Sequence, residues 1–138
     1  MRRLRIDPDA WRLVSDGAED TVTDVRELRR LIAAALRNRF AEVLLVRGEC
    51  PEHNLFALFN DGNAVMSYTR NIDEASYCAR KDDRPKREGE VLEFYFSNGQ
   101  RDEYPLAETI PSEDAVTAFE YFFQRTELAP WIKWQQDF

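Results

Sequence analysis

Few residues of this chain are suited to chemistry. Its one histidine, His53, stands close to a cysteine in Cys50-Pro51-Glu52-His53, and the second cysteine is Cys78. These three are of zinc-ligand type, yet no fourth partner is legible and paired Cys-x-x-Cys spacing is absent. Read instead as nucleophile and base, Cys50 or Cys78 with His53 has no nucleophile signature around either thiol. A strand-entry turn with a buried thiol accounts for the same residues, since free cysteine is often buried. Glu88, Glu90 and Glu93 offer paired carboxylates for acid–base work, but an acidic chain supplies such pairs by chance. The five glycines form no phosphate loop. The sequence therefore points to no catalytic residue, no metal site and no cofactor.

The totals agree with a binding role. With 138 residues, the chain is read as one domain over residues 1–138, long enough for a single hydrophobic core. Its 43% hydrophobic and 33% charged residues exclude global disorder. A net charge of -7 is poorly matched to nucleic-acid phosphates, whose binding relies on Lys and Arg. It fits a basic protein partner, although the same charge would also serve solubility alone. The basic start, Met1-Arg2-Arg3-Leu4-Arg5, is followed by no apolar run of signal-peptide length. No stretch approaches the ~20 apolar residues that span a bilayer. A cytoplasmic protein without membrane contact is expected.

Residues 11–14 read as a short first strand, and Ser15-Asp16-Gly17 as a turn. Val25, Leu28, Ile32, Leu36 and Phe40 recur at helical spacing, with arginines on the other faces. Thr21 or Thr23 is the expected cap of that helix. Val43-Leu44-Leu45-Val46 within 42–47 reads as a central strand buried on both faces. Strands over 54–59 and 64–68 flank Asp61-Gly62, and strands over 90–97 and 101–105 flank Asn98-Gly99. The strand at 90–97 is apolar on both faces and is expected to be an inner strand. Residues 71–89 show no periodicity and read as a long, mixed-charge loop.

A second helix is expected from Ser112 as its cap, with Phe119, Phe122 and Phe123 inward, stopping near Thr126. Residues 131–134 then read as a terminal strand, with one of Trp131 and Trp134 in the core and which of the two left open. Nucleic-acid stacking is not indicated, because the strand aromatics neighbour Glu90 and Glu93 rather than bases. The expected fold is α+β: a mainly antiparallel sheet of about five to seven strands with two helices packed against it.

Three pieces of this pattern resemble one family. The strand pair Asn54-Leu55-Phe56-Ala57-Leu58-Phe59 and Ala64-Val65-Met66-Ser67-Tyr68 resembles its central hairpin. Pro111 with Ala115, Ala118 and Phe122-Phe123 resembles its proline-led helix, and Pro130-Trp131-Ile132-Lys133-Trp134 its closing segment. The family is the first-numbered one among immunity proteins of bacterial polymorphic-toxin and interbacterial-competition systems. Where it often has a glycine before the closing proline, this chain has Arg125-Thr126-Glu127-Leu128-Ala129. The resemblance implies a non-enzymatic inhibitor that binds a cognate toxin one to one and covers its active site. Such toxins are commonly nucleic-acid deaminases, which gather positive charge around a zinc pocket. Expected contacts are loop-borne: Asp61 in the first hairpin turn, and Asp73, Glu74, Tyr77, Asp82 and Asp83 in the long loop. For each of them a solvated loop side chain is the plain alternative. A regulatory or adaptor domain for another protein is the alternative for the whole.

Overall fold

Two Asp-Gly turns frame the chain in the computed structural model, which describes residues 10–47, 53–70, 76–82, 84 and 90–137. β1 (Trp11–Ser15) reverses through Asp16-Gly17 into β2 (Ala18–Val22), and β4 (His53–Asn60) through Asp61-Gly62 into β5 (Asn63–Arg70). All four turn residues have positive φ: 49° and 85° in the first turn, 34° and 57° in the second. That geometry matches the right-handed twist of paired strands, and Asp-Gly adopts it at low cost. Between the hairpins lie α1 (Val25–Ala35) and β3 (Phe40–Arg47). After them come β6 (Ser76–Arg80), β7 (Val91–Tyr95), β8 (Arg101–Pro105), a 3₁₀ turn (Leu106–Glu108), β9 (Ile110–Pro111), α2 (Ser112–Arg125) and β10 (Lys133–Asp137).

The fold is α+β, and its main sheet is antiparallel throughout. Among the described residues that sheet has eight strands in the order β10-β6-β5-β4-β3-β1-β2, with β9 added beside β5. Alternation along the strands sorts its side chains onto two faces. Leu13, Val43, Leu45, Leu55, Ala57, Phe59, Ala64 and Met66 point to one face, where they meet Leu28 and Ile32 of α1 and Ala115, Ala118, Phe119 and Phe122 of α2 in one cluster. Phe40, Glu42, Phe56, Leu58 and Asn60 point to the other. There the β7–β8 hairpin lies across them: Phe40 meets Tyr95 edge-on at 4.7 Å, Phe56 stacks on Phe96 at 6.1 Å, and Asn60 donates to the Glu93 carbonyl at 2.8 Å. Burial beneath the hairpin, and then Asp102, push the Tyr104 hydroxyl up to about 12.

Several expectations are corrected. The strand at 90–97 is not an inner strand of the main sheet. It forms β7 of a separate two-stranded sheet, in which Phe94 is buried while Val91 is 50% exposed and Glu93 pairs with Arg101 at 2.7 Å. Its apolar inner side packs by lying over a sheet face, not by sitting within one. α1 ends before Phe40, which instead starts β3 and sends its ring to the hairpin side. Its cap is Asp24, which accepts from the Glu27 amide at 2.9 Å, while Glu27 reaches back to Thr23. Ser112 is the first helical residue of α2 rather than its cap. Residues 76–80 are a strand, although they lie in the stretch read as loop. The last strand starts at Lys133, so Trp131 falls in the turn before it; Trp131 is 53% exposed, and Trp134 is half-buried against the core.

The α2 stop falls where expected, at Thr126, but through a left-handed threonine (φ 53°) rather than a glycine. Its amide donates to the Phe122 carbonyl at 2.7 Å, and Arg47 holds its hydroxyl at 3.1 Å. Phe122 is the aromatic hub of the helix-side core, edge-on to Trp11 at 5.4 Å, Tyr68 at 5.7 Å and His53 at 6.0 Å. Replacing Phe122 by Ala is expected to cost about 3–5 kcal/mol, a large part of the about 5–15 kcal/mol typical of a domain. A thermal or denaturant melt checks this; an unchanged midpoint would remove Phe122 from the stabilising core.

Candidate functional site

One end of the main sheet gathers turns, helix ends and charges. The Asp61-Gly62 turn is fixed there from two sides: the Asp61 amide donates to the Arg39 carbonyl at 3.0 Å, and the Ser112 amide to the Gly62 carbonyl at 2.9 Å. This joins the end of α1, the β4–β5 turn and the start of α2. A groove of about 470 Å³ opens between them, lined by Leu36, Arg37, Arg39, Phe59, Asp61 and Ser112. The Asp16-Gly17 turn belongs to the same end, since the Asp16 amide donates to the Glu42 carbonyl at 2.9 Å.

A second cleft of about 370 Å³ lies where β6 ends, β10 begins and the 3₁₀ turn passes. Four cations line it (Arg80, Lys81, Arg84 and Lys133), against Asp82 and Glu108. Each cation has a local partner. Lys81 reaches Asp114 at 2.8 Å, Lys133 reaches Asp82 at 3.5 Å, Arg80 reaches Glu108 at 3.7 Å, and Arg84 donates to Asn63 and to the Thr109 hydroxyl. Such exposed pairs add little stability, typically 0–1 kcal/mol each. They do fix where charge is presented.

Two of the expected contact residues, Asp61 and Asp82, stand at this end. Asp61 is exposed at the hairpin tip, and Asp82 is exposed at the lip of the second cleft. Tyr77 sits on β6 opposite Tyr68, half-buried against the core with the two rings 6.5 Å apart, and its position is that of a packing residue. Asp73, Glu74 and Asp83 lie outside the described residues, as do Cys50 and Glu88. The surroundings of Asp82 are richer in cations than an acidic contact loop would be, because Arg80, Lys81, Arg84 and Lys133 line the same cleft.

His53 and Cys78 are placed apart. His53 Nδ1 is 2.7 Å from the Tyr68 hydroxyl on the helix side of the sheet, its ring edge-on to Phe122. Cys78 pairs with Ser67, one position along from the Tyr68–Tyr77 pair, and so points to the opposite face. The sheet separates the two side chains, which rules out a shared metal ion or a nucleophile–base pair. Burial also pushes the Cys78 thiol up from its ordinary range, and the neighbouring Asp137 carboxylate, 3.7 Å from the sulfur, adds to this. An activated nucleophile needs the reverse. Glu93 is held by Arg101, which also reaches Glu103.

Of two further exposed features, the sequence named Trp131 only as one of a pair and did not register β2. The Trp131 ring stands edge-on to Tyr121 at 5.1 Å. β2 is acidic and exposed along four of its five residues. The signal for β2 was the Asp16-Gly17 turn itself, a pair that favours a hairpin with a strand on each side.

Residues 16–136 match the family model described as Immunity protein Imm1. No curated protein matches the chain.

The raised thiol gives a direct check on the non-catalytic reading of Cys78. Because the thiolate is disfavoured in the folded protein, alkylation of Cys78 at mildly alkaline pH should be slower than that of a free cysteine. It should rise toward the free rate on denaturation. A Cys50→Ser background isolates the signal, and mass spectrometry reads it. Faster labelling in the folded protein would mark Cys78 as activated.

Proposed function

Because the chain belongs to the Imm1 immunity protein family, we propose that it binds and neutralises a cognate toxin, one to one, by covering the toxin's active site. The family match is the observation that carries this reading. The geometry is in keeping with it: His53 packs on Tyr68 and Phe122 and the Cys78 thiol lies across the sheet from it, while the loop-and-turn end of the sheet offers relief and charge. The toxin is proposed to act on nucleic acid as a deaminase, so that its substrate-binding surface is basic. A chain of net charge -7 meets such a surface favourably and blocks it without chemistry of its own. It would act in the cytoplasm, without itself binding nucleic acid. Among the described residues no helix is long and apolar enough to cross a membrane.

Asp61, with the Asp16-Gly17 turn beside it, is proposed to meet toxin Lys or Arg residues; Asp82, already engaged with Lys133, is proposed to contribute at the rim. Asp73, Glu74 and Asp83 extend the same acidic contact set. Charges at an interface rim act chiefly through the rate of encounter.

The test begins with the toxin gene expected beside the one encoding this chain. Co-expression should protect cells, and the purified proteins should form a complex of one copy each and abolish toxin activity. Survival lost despite expression of the chain would contradict the proposal. Within the complex, Asp61→Lys should slow association several-fold at low salt. The difference should vanish near 1 M salt, where screening acts within about 3 Å. An association rate equal to wild type at every salt concentration would place Asp61 outside the interface.

A further inference from the structure

Among the described residues the main sheet ends in β10 on one side and β2 on the other, each with one open edge. Among the described residues β2 bonds only β1, through the register Ser15↔Ala18 to Trp11↔Val22. In a hairpin closed by a two-residue turn, the closing pair is hydrogen-bonded both ways and the pattern alternates from there. Ala18, Asp20 and Val22 therefore direct their backbone N–H and C=O groups to β1. Glu19 and Thr21 direct theirs to the open side, as a template for one more strand.

Charge selects what such a strand can be. From Leu13 to Val25 the chain holds four acids and no Lys or Arg. Asp16 and Asp24 are engaged in the turn and the helix cap, and Glu19 reaches Arg12 at 2.8 Å. Asp20 is exposed without an ion pair among the described residues. Antiparallel pairing of two β2 strands about Asp20 would set like charges directly opposite, which is unfavourable. β10 differs: it carries Lys133 and Asp137 and lies beside Arg80, so its edge is nearly balanced.

We propose that the open side of β2 is a docking edge on which a basic, extended segment of the cognate toxin adds a further strand. It bonds the backbone of Glu19 and Thr21 and sets Lys or Arg side chains against Asp20 and Glu19. Main-chain bonds give such strand addition its affinity, and the flanking charges give its selectivity. The inference rests on the toxin-binding reading above and names its surface. The edge is continuous with the charged sheet end, because β2 starts at the Asp16-Gly17 turn.

Thr21→Pro tests the edge directly. It deletes one outward N–H while sparing the bonds to β1, a position where an edge strand accepts proline. Its affinity for the toxin should fall about tenfold or more, while Thr21→Val binds as wild type. Asp20→Lys leaves the backbone intact and decides the matter should the proline variant fail to fold; it should weaken binding most at low salt. Wild-type affinity in Asp20→Lys and in a folded Thr21→Pro overturns the proposal and leaves the β2 acids as protection against edge-to-edge association. Failure of the unaltered chain to bind overturns the toxin-binding reading and this proposal together, an outcome distinct from loss in the variants alone.

Discussion

Strands β3 and β4 bury side chains on both of their faces, and the surrounding elements are arranged to cover them. Val43, Leu45, Leu55 and Ala57 are buried toward the helices, while Val46 and Leu58 are buried on the opposite side. A sheet covered on one face only would leave this second set in water, at a cost of roughly 1.5–3 kcal/mol for each large side chain. The helices therefore take one face and the β7–β8 hairpin the other. Asn60 shows how the two are joined, since its buried amide is satisfied by the Glu93 carbonyl of the hairpin. What remains for a partner is the perimeter: the turn-bearing end of the sheet and its two edges.

That division explains what was legible in the sequence. The Asp-Gly turns, the apolar run of β3 and the inward stripe of α2 carry their own signal, because local conformation and burial agree there. β2 and β6 carry almost none. In β2 only Val22 is buried and in β6 only Ala79, so neither shows the alternation that marks a strand. The hairpin misled for the opposite reason. Phe94 and Phe96 against Val91 and Tyr95 look like a strand apolar on both faces, but Tyr95 packs sideways onto Phe40 and Val91 stays exposed. At Thr126 the chain achieves a left-handed stop without glycine, held by Arg47 from a distant strand, a tertiary bond that local reading does not register.

The candidate site was legible only in part. Asp61 follows from the turn chemistry, and its exposure follows from the hairpin. The neighbourhood of Asp82 does not, because it depends on β10 returning beside β6 and bringing Lys133 with it. The charge of the chain is thus unevenly spent. Glu108, Asp114 and Glu120 are matched by Arg80, Lys81 and Arg29 from other elements, which ties the helices and the 3₁₀ turn to their neighbours. Among the described residues Asp20 and Asp61 have no such ion pair, and a net charge read from composition alone does not make that distinction.

The central claim is that this fold inhibits by presenting its perimeter, foremost the β2 edge, to a toxin. Amide hydrogen exchange on the chain alone and in complex with the toxin encoded beside it addresses this residue by residue. The Glu19 and Thr21 amides, open in the free chain, should become protected in the complex. Those of β3 to β5 should change little, being bonded already. Protection centred on β10 or the β7–β8 hairpin, with β2 exchanging as in the free chain, would contradict the account.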